Sequence, residues 1–319
     1  MITSNKRNIN QQSFDENFIT CELLGYGAYS KVVSAIEIIS GKKYAIKIIN
    51  SMYHNSKVKN KYLKRELDVL ENIFHNNIIK YYNTGTFLID NKQSLEPHDC
   101  IILEFAENGS LFEYIINEKR GFNEQISRVI FLQIINGLEK CHDEGIAHGD
   151  LKTENILFQN DWTIKLCDFG NSYKLDSKNV DLKDGTTKQY CAPEIYHGDK
   201  NEIIDAKADI FSLGVILFII VVGNFPFMDT SNTDYFYRRI KVKKFNGIWE
   251  QYKERIPSFE SLNISNEFKD LFTSLVLSDP KDRPTIEEIK KSKWLNSDFA
   301  SLNDVTTELE KRKRKIRKV

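Results

Sequence analysis

His148-Gly149-Asp150-Leu151-Lys152-Thr153-Glu154-Asn155-Ile156-Leu157 is the stretch on which the reading of this 319-residue chain turns. Downstream of it a strand-like run from Thr163 to Cys167 leads into Asp168-Phe169-Gly170. A phosphoryl-transfer site needs a carboxylate near the nucleophile, a cation near the transferred phosphate, and carboxylate or amide oxygens for Mg2+. Asp150, Lys152, Asn155 and Asp168 offer all of these within one short segment. Asp-Phe-Gly by itself is a three-letter match that chance supplies readily, so its weight comes from its order and spacing relative to the other groups.

Working upstream, Gly25-Tyr26-Gly27-Ala28-Tyr29-Ser30-Lys31-Val32 lies between two expected strands. That context disfavours a dinucleotide-binding turn and suits a glycine hairpin whose backbone lies over phosphates, although an ordinary Gly-rich hairpin fits as well. Next, Ala45-Ile46-Lys47-Ile48-Ile49 puts Ala45, Lys47 and Ile49 on one face of a strand. A lysine among apolar neighbours needs a counter-charge or a path for its ammonium to solvent. Glu66 follows Leu63 by three residues and precedes Leu70 by four, on or beside an apolar helical stripe where an unpaired acid is costly. Lys47 is its obvious partner; a rim tether to Lys64 or Arg65 is the alternative.

The pattern around these groups is that of an α+β chain. Strands are expected over 18–24, 32–39 and 43–49 as an antiparallel meander, then a helix over 59–74 with Leu63, Leu67, Leu70 and Ile73 on one face. Two further strands, 81–88 and 100–105, flank a polar loop holding Pro97. From Ser110 the signal turns helical, over 110–118, 124–144, 209–222, 265–276 and 285–294. Five scattered cysteines with no C-x-x-C spacing suggest neither a disulfide framework nor a zinc site. The apolar run 210–222 is shorter than the roughly 18 residues a membrane span needs, and the polar N-terminus lacks the apolar segment of a secretory signal. A cytoplasmic protein is the expectation, with the nucleus as the second option.

Charge sharpens this. The chain carries 45 Lys+Arg and 45 Asp+Glu, which excludes a generally basic nucleic-acid binder and an acidic disordered chain. Lys311 to Lys318 holds seven basic residues and no acid, so the rest has 38 basic against 45 acidic and a charge of about −7. An acidic body repels nucleic-acid phosphates.

Taken with Ala192-Pro193-Glu194, Asp209 to Gly214, Gly223 to Phe227, and Asp279 to Pro284, these motifs identify the chain as resembling the eukaryotic protein kinases over 18–295. The pattern is most similar to the calcium/calmodulin-dependent kinase group. The resemblance implies a bilobal fold: an N-lobe over 18–103 with a small antiparallel sheet and one main helix, a hinge over 104–109, and a larger, mostly helical C-lobe over 110–297. Residues 1–17 would form a polar extension and 298–319 a basic tail. It also implies Mg2+ and ATP as cofactors. Leu24, Gly25, Gly27, Val32, Ala45, Lys47, Glu104, Ala106, Leu157 and Asp168 would contact the nucleotide, with Leu103 as gatekeeper. Lys47, held by Glu66, would bind the α- and β-phosphates, and Asn155 and Asp168 would ligate the metal. Asp150 would accept the substrate hydroxyl proton while Lys152 stabilises the γ-phosphoryl. Asp209 would bind the catalytic-loop backbone, and Glu194 would pair with Arg283 in the interior.

Asp150-Leu-Lys152 and Thr187 match kinases that act on serine or threonine, and Glu113 and Glu154 stand where basophilic members hold an arginine upstream of the acceptor. A second acid used by some members is Ile219 here. Ser30 replaces the third glycine, and Gly149 replaces the arginine that commonly receives an activation-loop phosphate. With Lys183 at a frequent phosphosite, the chain is expected to act without activation-loop phosphorylation; Ser172, Ser177, Thr186 and Thr187 are the remaining candidate sites. A pseudokinase scaffold or ATP-binding regulatory module is the competing class. In the tail, Leu302, Val305, Leu309, Ile316 and Val319 keep the spacing of a helix with an apolar seam that Arg312 interrupts. A solvated terminus, a nuclear-import signal, an autoinhibitory or other dock of 311–318 on the acidic body, and a calmodulin-like target are its open readings.

Overall fold

Alternation of apolar and polar residues folds the first part of the chain into one antiparallel sheet. The computed structural model describes residues 13–14, 17–27, 29–50, 57–90, 95–118, 120–175, 187–197, 205–245 and 247–316. They divide into two compact units: the described residues up to Glu71 with Ile79–Glu107, and Asn72–Ile78 with the described residues from Asn108 onward. The first unit holds β1 (Ser13–Phe14), β2 (Phe18–Tyr26), β3 (Ser30–Glu37), β4 (Lys43–Ile49), β5 (Tyr81–Asp90), β6 (Leu95–Glu104) and α1 (Lys57–Leu70). The strands run in the order β1-β2-β3-β4-β6-β5. In β4 the even residues Tyr44, Ile46 and Ile48 join Val33, Ala35, Phe87, Cys100 and Ile102 in the core. The odd residues Ala45 and Lys47 face the other way, beside Leu103 and Ile101 of β6.

The expected strands are all present: β4 keeps its expected bounds, β2 and β5 run two residues further, β3 is shifted to Ser30–Glu37 and β6 begins already at Leu95, while β1 adds a short edge that no sequence signal announced. Pro97 lies inside β6, opposite Leu88, and not in a loop. β4 pairs β6 only as far as Cys100, so at Pro97 the strand has a neighbour on one side, where a missing N–H is tolerated. The helix ends at Leu70, short of residue 74; Ile73 stays buried in the turns that follow.

The second unit is mainly helical: α2 (Leu111–Ile116), α3 (Glu124–Asp143), α4 (Pro193–His197), α5 (Lys207–Val222), α6 (Tyr235–Lys241), α7 (Ile248–Arg255), α8 (Asn266–Leu275), α9 (Ile286–Lys290) and α10 (Leu302–Ile316). Two small antiparallel pairs join them, β7 (Ile146–Ala147) with β10 (Tyr173–Lys174) and the hairpin of β8 (Ile156–Phe158) with β9 (Ile164–Leu166). α5 is apolar on every side and buried from Ala208 to Val222, as a central helix must be. No helix among the described residues is long and apolar enough to cross a membrane. α3 begins where the Asn123 side chain accepts the Ile126 N–H, and α9 where Thr285 and Glu288 form a capping box. α9 is shorter than the expected 285–294, because Asn296 and Ser297 bond the carbonyls of Lys290, Ser292 and Lys293 and hold that stretch in turns. α6 and α7 are too short for a periodic signal and were not anticipated.

α10 packs on α2 and α3, with Val305, Leu309 and Arg312 as its buried seam, while Leu302 is 79% exposed. Arg312 therefore anchors the seam and does not interrupt it. Its guanidinium donates to the carbonyls of Tyr114 (3.1 Å), Arg120 (3.0 Å) and Gly121 (2.6 Å). It lies 3.7 Å from the Phe122 ring centroid, and Glu308 one turn earlier accepts from its Nε at 2.9 Å.

Candidate active site

In the first unit, the Lys47 ammonium donates to both Glu66 carboxylate oxygens at 2.7 Å. Side-chain exposures of 12% for Lys47 and 3% for Glu66 decide against a snorkelling lysine and a rim glutamate. Losing either partner would strand a buried charge, at a cost of about 3–5 kcal/mol. Val32 is opposite Lys47, and Ala45 is opposite Leu103, so these four lie on the sheet face away from the core. The glycine hairpin closes where the Gly27 N–H donates to the Ser30 carbonyl at 2.7 Å; Leu24 beside it is 45% exposed, and Ala28 lies outside the described residues. The Glu104 N–H donates to the Lys80 carbonyl at 2.8 Å, so a ligand hydrogen bond at that residue falls to its carbonyl oxygen. Ala106 is half-buried, one residue from the passage between the units at Glu107–Asn108.

In the second unit the loop between β7 and β8 holds the candidate catalytic groups Asp150, Lys152 and Asn155. Lys152 Nζ lies 2.6 Å from Asp150 Oδ2 and donates to Thr187 Oγ1 at 3.2 Å. Asn155 donates to the Asp150 carbonyl at 2.9 Å, and its own carbonyl accepts the Cys167 N–H at 3.0 Å, which ties the loop to the strand preceding Asp168. Burial pushes the Asp150 carboxyl above the ordinary aspartate value; Lys152 opposes this and the charge of Asp168 adds to it. Burial works to lower the Lys152 ammonium, but Asp150, Asp168 and Glu154 outweigh it and raise its pKa. Asp168 has φ +66°, a strained conformation for a non-glycine residue at the end of this loop system. Leu157 of β8 bridges Ser110 and is half-buried.

The loop is held from below by Asp209, at the start of α5. Its carboxylate accepts from the His148 N–H (2.8 Å) and the Gly149 N–H (3.0 Å) and meets His142 Nε2 at 2.9 Å. Burial alone would raise this carboxyl, yet these hydrogen bonds and histidine neighbours hold it below the ordinary value. Farther along, Arg283 forms a two-pronged pair with Glu194 at 2.6 and 2.7 Å and also donates to the carbonyls of Leu277, Lys207 and Ser278. Every donor of that interior guanidinium is used. Cys167 is half-buried and in no disulfide, and Ile219 is a buried part of α5. His142, Thr153 and Tyr190 join these networks without having been singled out from the sequence. Ser177, Lys183 and Thr186 lie outside the described residues.

The oxygen set fits a hard divalent cation. Among the described residues no group of three or more His, Cys, Asp or Glu converges on one point. Mg2+ commonly takes only one or two carboxylates and completes its shell with water and phosphate oxygens, as Asp168 and the Asn155 amide would allow. The charge of Asp168 adds to the elevation of the Asp150 carboxyl, and a cation bound there would relieve that excess negative charge.

A protein kinase domain family model matches residues 18–295. An SNF-related serine/threonine-protein kinase of Homo sapiens is 33% identical over 275 residues, 85% of this chain and 32% of that protein. An SNF1-related protein kinase catalytic subunit alpha KIN12 of Arabidopsis thaliana is 32% identical over 286 residues, 88% of this chain and 52% of that one. Testis-specific serine/threonine-protein kinase 3 of Homo sapiens is 32% identical over 278 residues, 86% of this chain and 94% of that one. The chain thus spans about a third to a half of the length of the first two relatives and nearly all of the third.

Proposed function

The chain belongs to the protein kinase family, and from that premise we propose that it transfers the γ-phosphate of Mg-ATP to serine or threonine hydroxyls of protein substrates. The observation that carries the reading is the buried Asp150–Lys152 pair with Lys152 also bonded to Thr187. Asp150 takes the proton of the acceptor hydroxyl, and its raised pKa makes it a better base than an exposed aspartate. Lys152, kept cationic by its acidic neighbours, places positive charge where the transferred phosphoryl gathers negative charge. Lys47, fixed by Glu66, orients the α- and β-phosphates. Leu24, Gly25, Gly27, Val32, Ala45, Glu104, Ala106 and Leu157 complete the proposed nucleotide contacts, within a kinase domain over 18–297. When bound through Asn155 and Asp168, Mg2+ supplies charge neutralisation on the phosphates. The test is phosphotransfer from Mg-ATP to a basic serine peptide by the parent and by Asp150→Ala. A fall of about 10²–10⁴-fold is expected; equal rates would sink the assignment, and ATP binding without transfer would mark a pseudokinase.

Two finer readings go with it. Exposed Glu113 on α2 and half-buried Glu154 support a preference for basic residues upstream of the acceptor, tempered by apolar Ile219; a peptide-library profile flat at those positions refutes it. Gly149 brings no cation to an activation-loop phosphate, so turnover should survive phosphatase treatment. The described tail docks on its own body through Arg312 and through Lys315, 2.8 Å from Glu118. Exposed Lys311 and Arg314 are what an import factor would read. Location of tagged protein with and without 311–319 tests the cytoplasmic reading and tail-driven nuclear entry.

A further inference from the structure

Thr153 follows the catalytic lysine directly, and its side chain is fully buried. Its hydroxyl lies 2.7 Å from the Tyr190 hydroxyl and 3.2 Å from Glu154 Oε2, and the Tyr190 hydroxyl donates to that same Oε2 at 3.2 Å. Two hydroxyl protons serve three contacts, so in every arrangement at least one of them is given to the carboxylate or passed toward it. Tyr190 is itself fixed: its carbonyl accepts from Ser212 of α5 at 2.8 Å, its N–H donates to the Thr187 carbonyl at 2.9 Å, and its ring meets Phe225 edge-on at 5.3 Å. Burial keeps its phenol protonated, and therefore a donor. The outcome is a glutamate whose Oε2 faces both hydroxyls and ends a relay in which one hydroxyl donates to the other and that one donates to the carboxylate. Its other oxygen, Oε1, accepts no hydrogen bond among the described residues, and Glu154 as a whole is half-buried.

We propose that Thr153 is a positioning residue for substrate selection: with Tyr190 it presets the Glu154 carboxylate to receive a lysine or arginine side chain upstream of the phosphorylated hydroxyl. This rests on the kinase reading and on the basic preference above. A carboxylate held in one rotamer before the substrate arrives avoids ordering cost on binding, so the benefit falls on KM for basic peptides and not on the chemical step. Loss of the Thr153 hydroxyl frees Glu154 to turn without removing its charge.

The experiment measures kcat and KM for two peptides that differ only in having arginine or alanine upstream of the serine, using the parent, Thr153→Val, Thr153→Ser and Tyr190→Phe. Thr153→Val keeps the shape of the side chain and removes the donor. The expected result is a rise of about three- to ten-fold in KM for the arginine peptide in Thr153→Val and Tyr190→Phe, with kcat and the alanine peptide unchanged, and recovery in Thr153→Ser. If Thr153→Val keeps the parent's preference, or loses activity equally toward both peptides, the inference is overturned while the kinase reading stands. A parent that transfers phosphate without preferring arginine removes the basic preference together with this inference. A parent that phosphorylates neither peptide removes all three.

Discussion

At the scale of single residues, Asp150 and Gly149 show how burial and backbone geometry set chemistry that a string of letters only outlines. A base must be ionised to accept a proton, and burial raises the Asp150 pKa above 3.8. The acid limb of kcat/KM should therefore lie above that value and move further up in Lys152→Met, which loses the ammonium that opposes the shift. A limb at or below 3.8 in the parent would contradict the burial argument. Gly149 reads from the sequence as a missing guanidinium, but the structure gives it a second meaning. Its φ is +75°, and a Cβ there would lie 2.3 Å from the Asn171 carbonyl oxygen. Any side chain must both adopt the left-handed region and displace the segment after Asp168-Phe169-Gly170. Gly149→Ala should cost about 1–3 kcal/mol in denaturant unfolding, and Gly149→Arg at least as much. An arginine variant as stable as the parent would show that Asn171 yields freely. The order of Asp150, Lys152, Asn155 and Asp168 was legible because it is local; the fit of Gly149 against Asn171 was not, because it depends on a φ angle and on a residue 22 positions away.

Among the elements, α10 separates what periodicity reveals from what it hides. The spacing of Val305 and Leu309 announces a helix, and the same arithmetic makes Arg312 look misplaced on its apolar face. An arginine has a long aliphatic stem and a planar fork, so it lies in an apolar seam whenever carbonyls and a carboxylate wait at its end. The carbonyls of Tyr114, Arg120 and Gly121, together with Glu308, meet that need, but three of those four residues are more than 190 positions away. Long strands and helices such as β4, α3 and α5 were readable for the opposite reason, since each carries its own pattern. α6 and α7 carry too few residues for one. Arg312→Ala should lower stability by about 3–5 kcal/mol, because it strands buried carbonyls and Glu308 together. Arg312→Lys should recover little, since an ammonium cannot span the three carbonyls. Urea titration gives the energies, and amide exchange across 114–122 shows whether the loss is local. Full rescue by lysine would reduce Arg312 to a simple charge.

For the whole molecule, equal numbers of acids and bases conceal a body near −7 and a tail of +7, and the structure brings part of that tail back onto the body. Arg312 is buried, Lys315 meets Glu118 at 2.8 Å, and Lys313 stands 5.4 Å from the Trp162 ring. Ending the chain at residue 310 therefore does more than shed charge. It leaves 38 basic residues against 45 acidic ones, raising self-repulsion, and it uncovers Phe122 and removes the donors from three carbonyls. The charge part is screened by salt and the carbonyl part is not, so the two can be told apart. Truncation should lower the unfolding midpoint by about 5–10 °C at low ionic strength, with most of the loss persisting at about 0.5 M salt. Reversing the exposed Lys311 and Arg314 to glutamate should give a smaller shift that salt erases. Calorimetry and phosphotransfer on the same samples decide between a structural clamp and an autoinhibitory one. A clamp predicts a lower midpoint with turnover no higher than the parent's, whereas autoinhibition predicts a gain in turnover from the truncated chain with little change in the midpoint.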